Sequence, residues 1–266
     1  MRTRILTSLF AALGAVLMLF LIVPLVAMAA SETPTSLWGA LMEEDVQSAL
    51  LVSVGGAGLA TAIALLFGVP LGYLMARRTF PGKSVAQGLI DMPVVVPHTV
   101  AGIALLTVLT PSGIFGGPAA ELGVKFVDAL SGTVAAMLFV SAPFVVNAAR
   151  NGFEAVDIRV EKVSRSLGAS AWRTFFCISL PLTGRSIVSG AVMSWARGVS
   201  EFGAVLVIAY YPRVGPTLIY ERFTSFGLES SRPVAVLLVA VCLLLFVVLR
   251  TTVGRRSSAT GAQRYA

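Results

Sequence analysis

The chain has 266 residues, 56% of them hydrophobic and 12% charged, with a mean hydropathy of +0.87. A soluble domain carries about a quarter charged residues, so this composition excludes an ordinary soluble fold and indicates an all-α integral membrane protein. The net charge of +7 raises the question of nucleic acid, which the placement of the charges on two sides of a bilayer has to answer.

In chain order, residues 5–30 carry no charge and follow Arg2 and Arg4. Ala27-Met28-Ala29 is similar to a signal-cleavage site, but a signal core is about 7–15 residues and this run is closer to the ~20 that span the hydrocarbon. It is read as the first transmembrane helix. Residues 31–45 are acidic, with Glu32, Glu43, Glu44 and Asp45 and no Lys or Arg, and belong outside. The second span, 46–76, would make a helix of about 46 Å against a hydrocarbon core of about 30 Å. Tilt, protrusion or a kink at Pro70 must absorb the excess. Arg77, Arg78 and Lys83 close it on the inner side. Gly82-Lys83-Ser84 lacks the earlier glycine of a phosphate-binding loop, because that position is Arg77, so no ATPase site is expected here.

Pro93 and Pro97 cannot both sit inside one ordinary helix, so the third span is expected to start near Pro97 and cover 97–110. A Gly-rich outer loop follows, with a short helix expected around 124–129. The fourth span is 131–149, an inner loop covers 154–182, the fifth span is 186–209 and the sixth 233–249. Tyr210, Tyr211 and Tyr220 fall at the outer interface, where tyrosines concentrate. Residues 1–256 thus form one transmembrane domain and 257–266 a polar tail. In this topology Lys125, Arg213, Arg222 and Arg232 lie outside, Arg197 lies within a span, and every other Lys and Arg lies inside. Six spans with both termini cytoplasmic satisfy the positive-inside rule, and the basic balance then needs no nucleic acid.

The inner loop holds the best-organised polar stretch, 161–181 (EKVSRSLGASAWRTFFCISLP). Val163, Leu167, Ala171, Phe175 and Ile178 follow helical spacing, with Lys162, Arg165 and Arg173 off that face, so an amphipathic helix ending at Pro181 is expected. Such a helix offers its apolar side to a partner or lies on anionic lipid.

Within the fifth span, each of the charges Arg197 and Glu201 would cost about 2.5–3.5 kcal/mol at mid-bilayer, so both should face protein or water. Four residues apart they can touch, though Arg before Glu is the weaker order. They either line and gate an anion path or neutralise one another inside the bundle. His98 offers a hydrogen bond to an anion or satisfies backbone at a broken helix start beside Thr99, and the structural role is preferred. Gly55, Gly56, Gly58, Gly102, Gly190, Gly198 and Gly203 are expected to permit close helix packing. Cys177 and Cys242 with the single histidine make no convincing metal site, and no nucleophile–base or paired-carboxylate set indicates an enzyme.

Gly168, nine residues, then Ile178-Ser179-Leu180-Pro181 resembles the second half of the EAA motif of ATP-binding-cassette importer permeases, the loop that docks into a separate ATPase. The first half departs from it: Lys162, Val163 and Ser164 occupy the Glu-Ala-Ala positions and Glu161 falls one residue early. Residues 92–102 (MPVVVPHTVAG) and 194–204 (SWARGVSEFGA) resemble the oxyanion permeases, most closely those for molybdate and tungstate and next those for sulfate. The resemblance implies the type I importer permease architecture and a homodimer. It also implies two ATPase subunits inside that carry the ATP-Mg, an external oxyanion-binding protein, and no cofactor on this chain. It makes Glu161, Lys162, Val163, Ser164, Leu167, Gly168, Ala169, Ser170, Trp172, Arg173, Phe175, Ile178 and Pro181 the docking loop, each loop moving its fifth span through a turn at 181–185. Pro97, His98, Thr99, Arg197, Ser200 and Glu201 are the candidate path or gate. An ATP-independent secondary transporter would instead show an internal repeat, and none is apparent.

Overall fold

The computed structural model describes residues 2–262, and every element it assigns there is helical. Helix α1, Arg2–Ala30, is apolar over most of its length, exposed along nearly all of its described side chains, and touches α13. A short helix α2, Pro34–Met42, capped by Thr33, occupies much of the acidic 31–45 stretch. Helix α3, Glu44–Arg77, contains Pro70 and extends slightly past the 46–76 limits on both sides.

Helix α7, Leu130–Ala155, runs past the 149 limit and is the most buried of the long apolar helices. It packs against α3 on one side and α10, Leu180–Val199, on the other. Small residues set these approaches. A Cβ added at Gly72 would meet the Ala149 Cβ at 2.8 Å and the Arg150 N at 2.9 Å, and one at Gly190 the Ala148 Cβ at 2.4 Å. Gly102, Gly198 and Gly203 are crowded in the same way, whereas Gly55 and Gly58 face open space and take no part in packing. Met137, Val140, Val145, Ala149 and Phe153 fill the space between the three helices.

The third span differs from the expectation. Helix α4, Lys83–Val95, keeps Pro93 inside it, Pro97 caps α5, His98–Leu109, and the two helices meet at 113°. Helix α5 alone is about 18 Å long and cannot cross ~30 Å of hydrocarbon. Among the described residues, five helices are therefore long and apolar enough to cross a membrane, or six if this bent pair counts as one span.

The outer loop also differs: its helix is α6, Gly116–Glu121, while 124–129 is irregular. The fifth span begins earlier and is broken. A helical run, Ala171–Val199, includes α9, Ala171–Thr174, a π-helical turn, Phe175–Ser179, and α10. After Val199 the chain breaks and resumes as α11, Gly203–Ile208, so no single helix covers 186–209. Helix α12, Gly215–Phe226, lies beyond it, and α13 starts at Leu228 rather than 233 and continues to Ala262. The polar tail is thus helical to Ala262, and its last four residues lie outside the described ones.

Candidate functional site

Two constructions gather most of the residues singled out by sequence. The first is a hook formed by α8, Ile158–Ser166, and α9. The expected single helix over 161–181 is interrupted: Gly168 adopts φ +87°, a left-handed conformation that ends α8, and Ser170 accepts a hydrogen bond from Arg173 N to start α9. Pro181 does not end a helix either. It lies in the first turn of α10, directly after the π turn, whose wider spacing accommodates a residue without an N–H. The turn expected at 181–185 is therefore a continuous helix, and Phe175, Ile178 and Pro181 belong to the helical run rather than to the loop.

The hook is pinned to the bundle by Glu161. Its carboxylate is buried, accepting from Arg77 Nε and Nη2 at 2.9 and 2.8 Å and from the Tyr73 hydroxyl at 3.1 Å. Arg77 also donates to Val156 O at 3.0 Å, and the Tyr73 ring sits edge-on to Phe153 and Phe175. Ser164 meets Thr174 at 3.1 Å across the hook. What remains outward is apolar and basic: Val163, Leu167 and Trp172 are 58%, 83% and 74% exposed, beside exposed Lys162 and Arg173. Ala169 is half-buried at the turn.

The second construction lies at the break after α10. Glu201 is 1% exposed. Its Oε1 accepts from Ala204 N at 2.8 Å, holding the start of α11, and its Oε2 accepts from Arg197 Nη2 at 2.8 Å. The same Arg197 nitrogen lies 3.1 and 2.8 Å from the two ring nitrogens of His98, whose Nδ1 is 3.5 Å from Glu201. Ser200 caps the break, donating to Arg197 O at 3.0 Å. His98 reaches this cluster because α5 crosses α11 where a Cβ on Gly203 would come within 2.7 Å of the His98 Cβ. Pro97 and Thr99 are exposed at the start of α5 and make no side-chain bond to the cluster among the described residues. The side chains of His98 and Arg197 are 44% and 22% exposed, so the cluster presents basic nitrogens to solvent-accessible space and keeps its carboxylate inside.

Two polar sets were not legible beforehand. Asp91 and Gln87 of α4 bind Asn147 of α7 at 2.6 and 2.7 Å, and Arg150 donates to Gln87 at 2.7 Å. At the opposite end from the hook, Arg213 bridges Asp45 and Glu221, Arg222 meets Glu43, and Arg232 meets Glu32 at 3.0 Å. Burial works against the Arg213 charge, but the Tyr211 hydrogen bond and the two carboxylates outweigh it and raise its pKa. The acidic 31–45 stretch thus finds its counter-charges in the segments around α12.

A broken, charged helix inside a bundle of long apolar helices runs on at its other end into a basic hook that is pinned to α3. Residues 68–257 match the family described as binding-protein-dependent transport system inner membrane component, and the chain belongs to that family. It is therefore a multi-pass protein of the cell membrane. It is 47% identical to the molybdate/tungstate transport system permease protein of Thermococcus kodakarensis, over 94% of this chain and 97% of the relative. It is 45% identical to the protein of the same description from Pyrococcus abyssi, over 94% and 96%. Its fold matches that of a bacterial ABC transporter that imports alginate, with a TM-score of 0.68 over 93% of this chain and 95% of that one at 18% identity.

Proposed function

We propose that the chain is the membrane-spanning subunit of an ATP-driven importer of molybdate or tungstate, working as a homodimer with both termini cytoplasmic. Two ATPase subunits, which carry the ATP-Mg, grip the hooks from inside, and an external oxyanion-binding protein delivers the anion from outside. The observation that carries the reading is the pinned hook. Its one carboxylate, Glu161, is consumed within the chain by Arg77 and Tyr73, while Val163 and Leu167 are left outward for a partner. The identity to molybdate/tungstate permeases over nearly the whole chain supports the choice of anion.

The geometry supplies a mechanism. From α9 to the Arg197–Glu201 break is one helical run of roughly 40 Å, so a displacement of the hook is transmitted along its axis to the break. Closure of the ATPases would bring the two hooks together and shift both breaks, switching the pathway between outward and inward access. Glu201 holds the break in shape, because its two oxygens are committed to Ala204 and Arg197. Arg197 meets the oxyanion as the accessible positive charge, and His98 sets a half-exposed ring beside it. This assigns the carboxylate the structural role and the basic pair the path.

The test is uptake of molybdate, tungstate and sulfate, each measured by elemental analysis in cells that make the complete transporter with and without this chain. Loss of tungstate and molybdate accumulation with sulfate unchanged is expected. Loss of sulfate alone would replace the substrate assignment and leave the transport role standing.

A further inference from the structure

A crevice of about 800 Å³ opens between α3 and the helical run formed by α9, the π turn and α10. No residue of α7 lines it, and Val69 and Ile187 at its floor belong to the packed core, so it opens on the flank of the bundle. Its length is informative. The α3 wall runs from Ala62 to Leu74, about 18 Å along the helix, close to the ~15 Å depth of one leaflet of hydrocarbon. The walls over that depth are apolar, with Leu66 and Phe176 67% and 53% exposed.

At the hook end the lining changes character. Arg78 and Arg165 enter there, and Trp172 stacks on Phe176 at 5.7 Å. Arg77, next to Arg78, is neutralised by Glu161. Neither Arg78 nor Arg165 meets a carboxylate among the described residues, so the mouth carries two uncompensated positive charges. An apolar slot one leaflet deep, capped by two cations and an interfacial tryptophan, is complementary to an anionic amphiphile. A free oxyanion would gain nothing from the apolar walls, and a zwitterionic lipid brings its own cation beside the phosphate and so offsets the two arginines less.

We propose that this crevice binds an anionic phospholipid, with an acyl chain between α3 and α10 and the phosphate head group at Arg78 and Arg165. The lipid would join the end of α3 to the hook, so that membrane composition sets how firmly the hook is held. Placing it in the inner leaflet rests on the topology proposed above; binding itself does not.

Quenching of Trp172 fluorescence by chain-brominated lipids tests this in the full-length protein in nanodiscs. The Trp172 component is taken as the difference from Trp172→Phe, which leaves Trp38 and Trp195 in place. Brominated phosphatidylglycerol is expected to quench it several-fold more strongly than brominated phosphatidylcholine at the same mole fraction. In Arg78→Gln/Arg165→Gln the phosphatidylglycerol required should rise by about fivefold for each arginine removed, down to the phosphatidylcholine level. Equal quenching by the two lipids, or a preference that survives the double substitution, would overturn the proposal. So would a Trp172 that neither lipid quenches, since a second copy or a soluble partner would then cover the crevice. The readout needs no ATPase, so the importer assignment can fail without it, and the reverse.

Discussion

The carboxylate of Glu161 is committed within its own chain, and that decides what the hook can offer. An acid in a docking loop invites the reading of a salt bridge to the partner, but here both oxygens are occupied by Arg77 and Tyr73. Removing one partner of a buried ion pair costs about 3–5 kcal/mol when the other is stranded, and side chains 9% exposed approach that case. Glu161→Ala is therefore expected to lower the melting temperature in detergent and to reduce the ATPase recovered with the chain, whereas Lys162→Ala should change neither. At the break the same logic separates Glu201 from His98. Glu201→Gln should destabilise the protein, because Arg197 loses its charge partner. His98→Ala should keep the melting temperature within about 2 °C while lowering oxyanion-stimulated ATP hydrolysis several-fold. The Arg197–Glu201 contact follows from a four-residue spacing and was legible in sequence. His98 was named beside them through the resemblance, but its contact with Arg197 was not legible, because the crossing of α5 and α11 joins residues nearly a hundred positions apart in the chain.

At the scale of elements, glycine pattern and proline pattern carried different amounts of information. Seven glycines were read alike, yet a Cβ at Gly190 would overlap Ala148 while Gly55 and Gly58 face open space. Periodicity cannot say which neighbour a face will meet. Gly190→Ala is expected to cost about 1–3 kcal/mol through overpacking and Gly58→Ala close to nothing, compared by thermal unfolding in one detergent. Prolines marked breaks correctly at Pro97 and misleadingly at Pro181, where the preceding π turn absorbs the missing donor. Gly168 was the better signal, since only its left-handed backbone ends α8. Gly168→Val should strain the turn and weaken docking without unfolding the bundle, seen as lost ATPase association with an unchanged far-ultraviolet spectrum.

For the whole molecule, charge asymmetry supports the orientation proposed for the spans, and hydropathy picked out the long helices. The bent α4–α5 pair and the interrupted α10–α11 path are tertiary features with no hydropathy signature of their own. They meet at the charged cluster, and the unbroken helical run from the hook ends there. If hook displacement drives the break, cysteines placed at Ala169 in both copies and cross-linked should lock transport, and reduction should restore it.

The first measurement is to purify the chain from its native membrane in mild detergent and identify what comes with it by mass spectrometry. A soluble subunit bearing a phosphate-binding loop, recovered one for one and lost in Leu167→Asp, is the expected result. Repeated recovery of the chain alone in several detergents would contradict the assignment of the hook as a docking element and, with it, the ATP-driven mechanism.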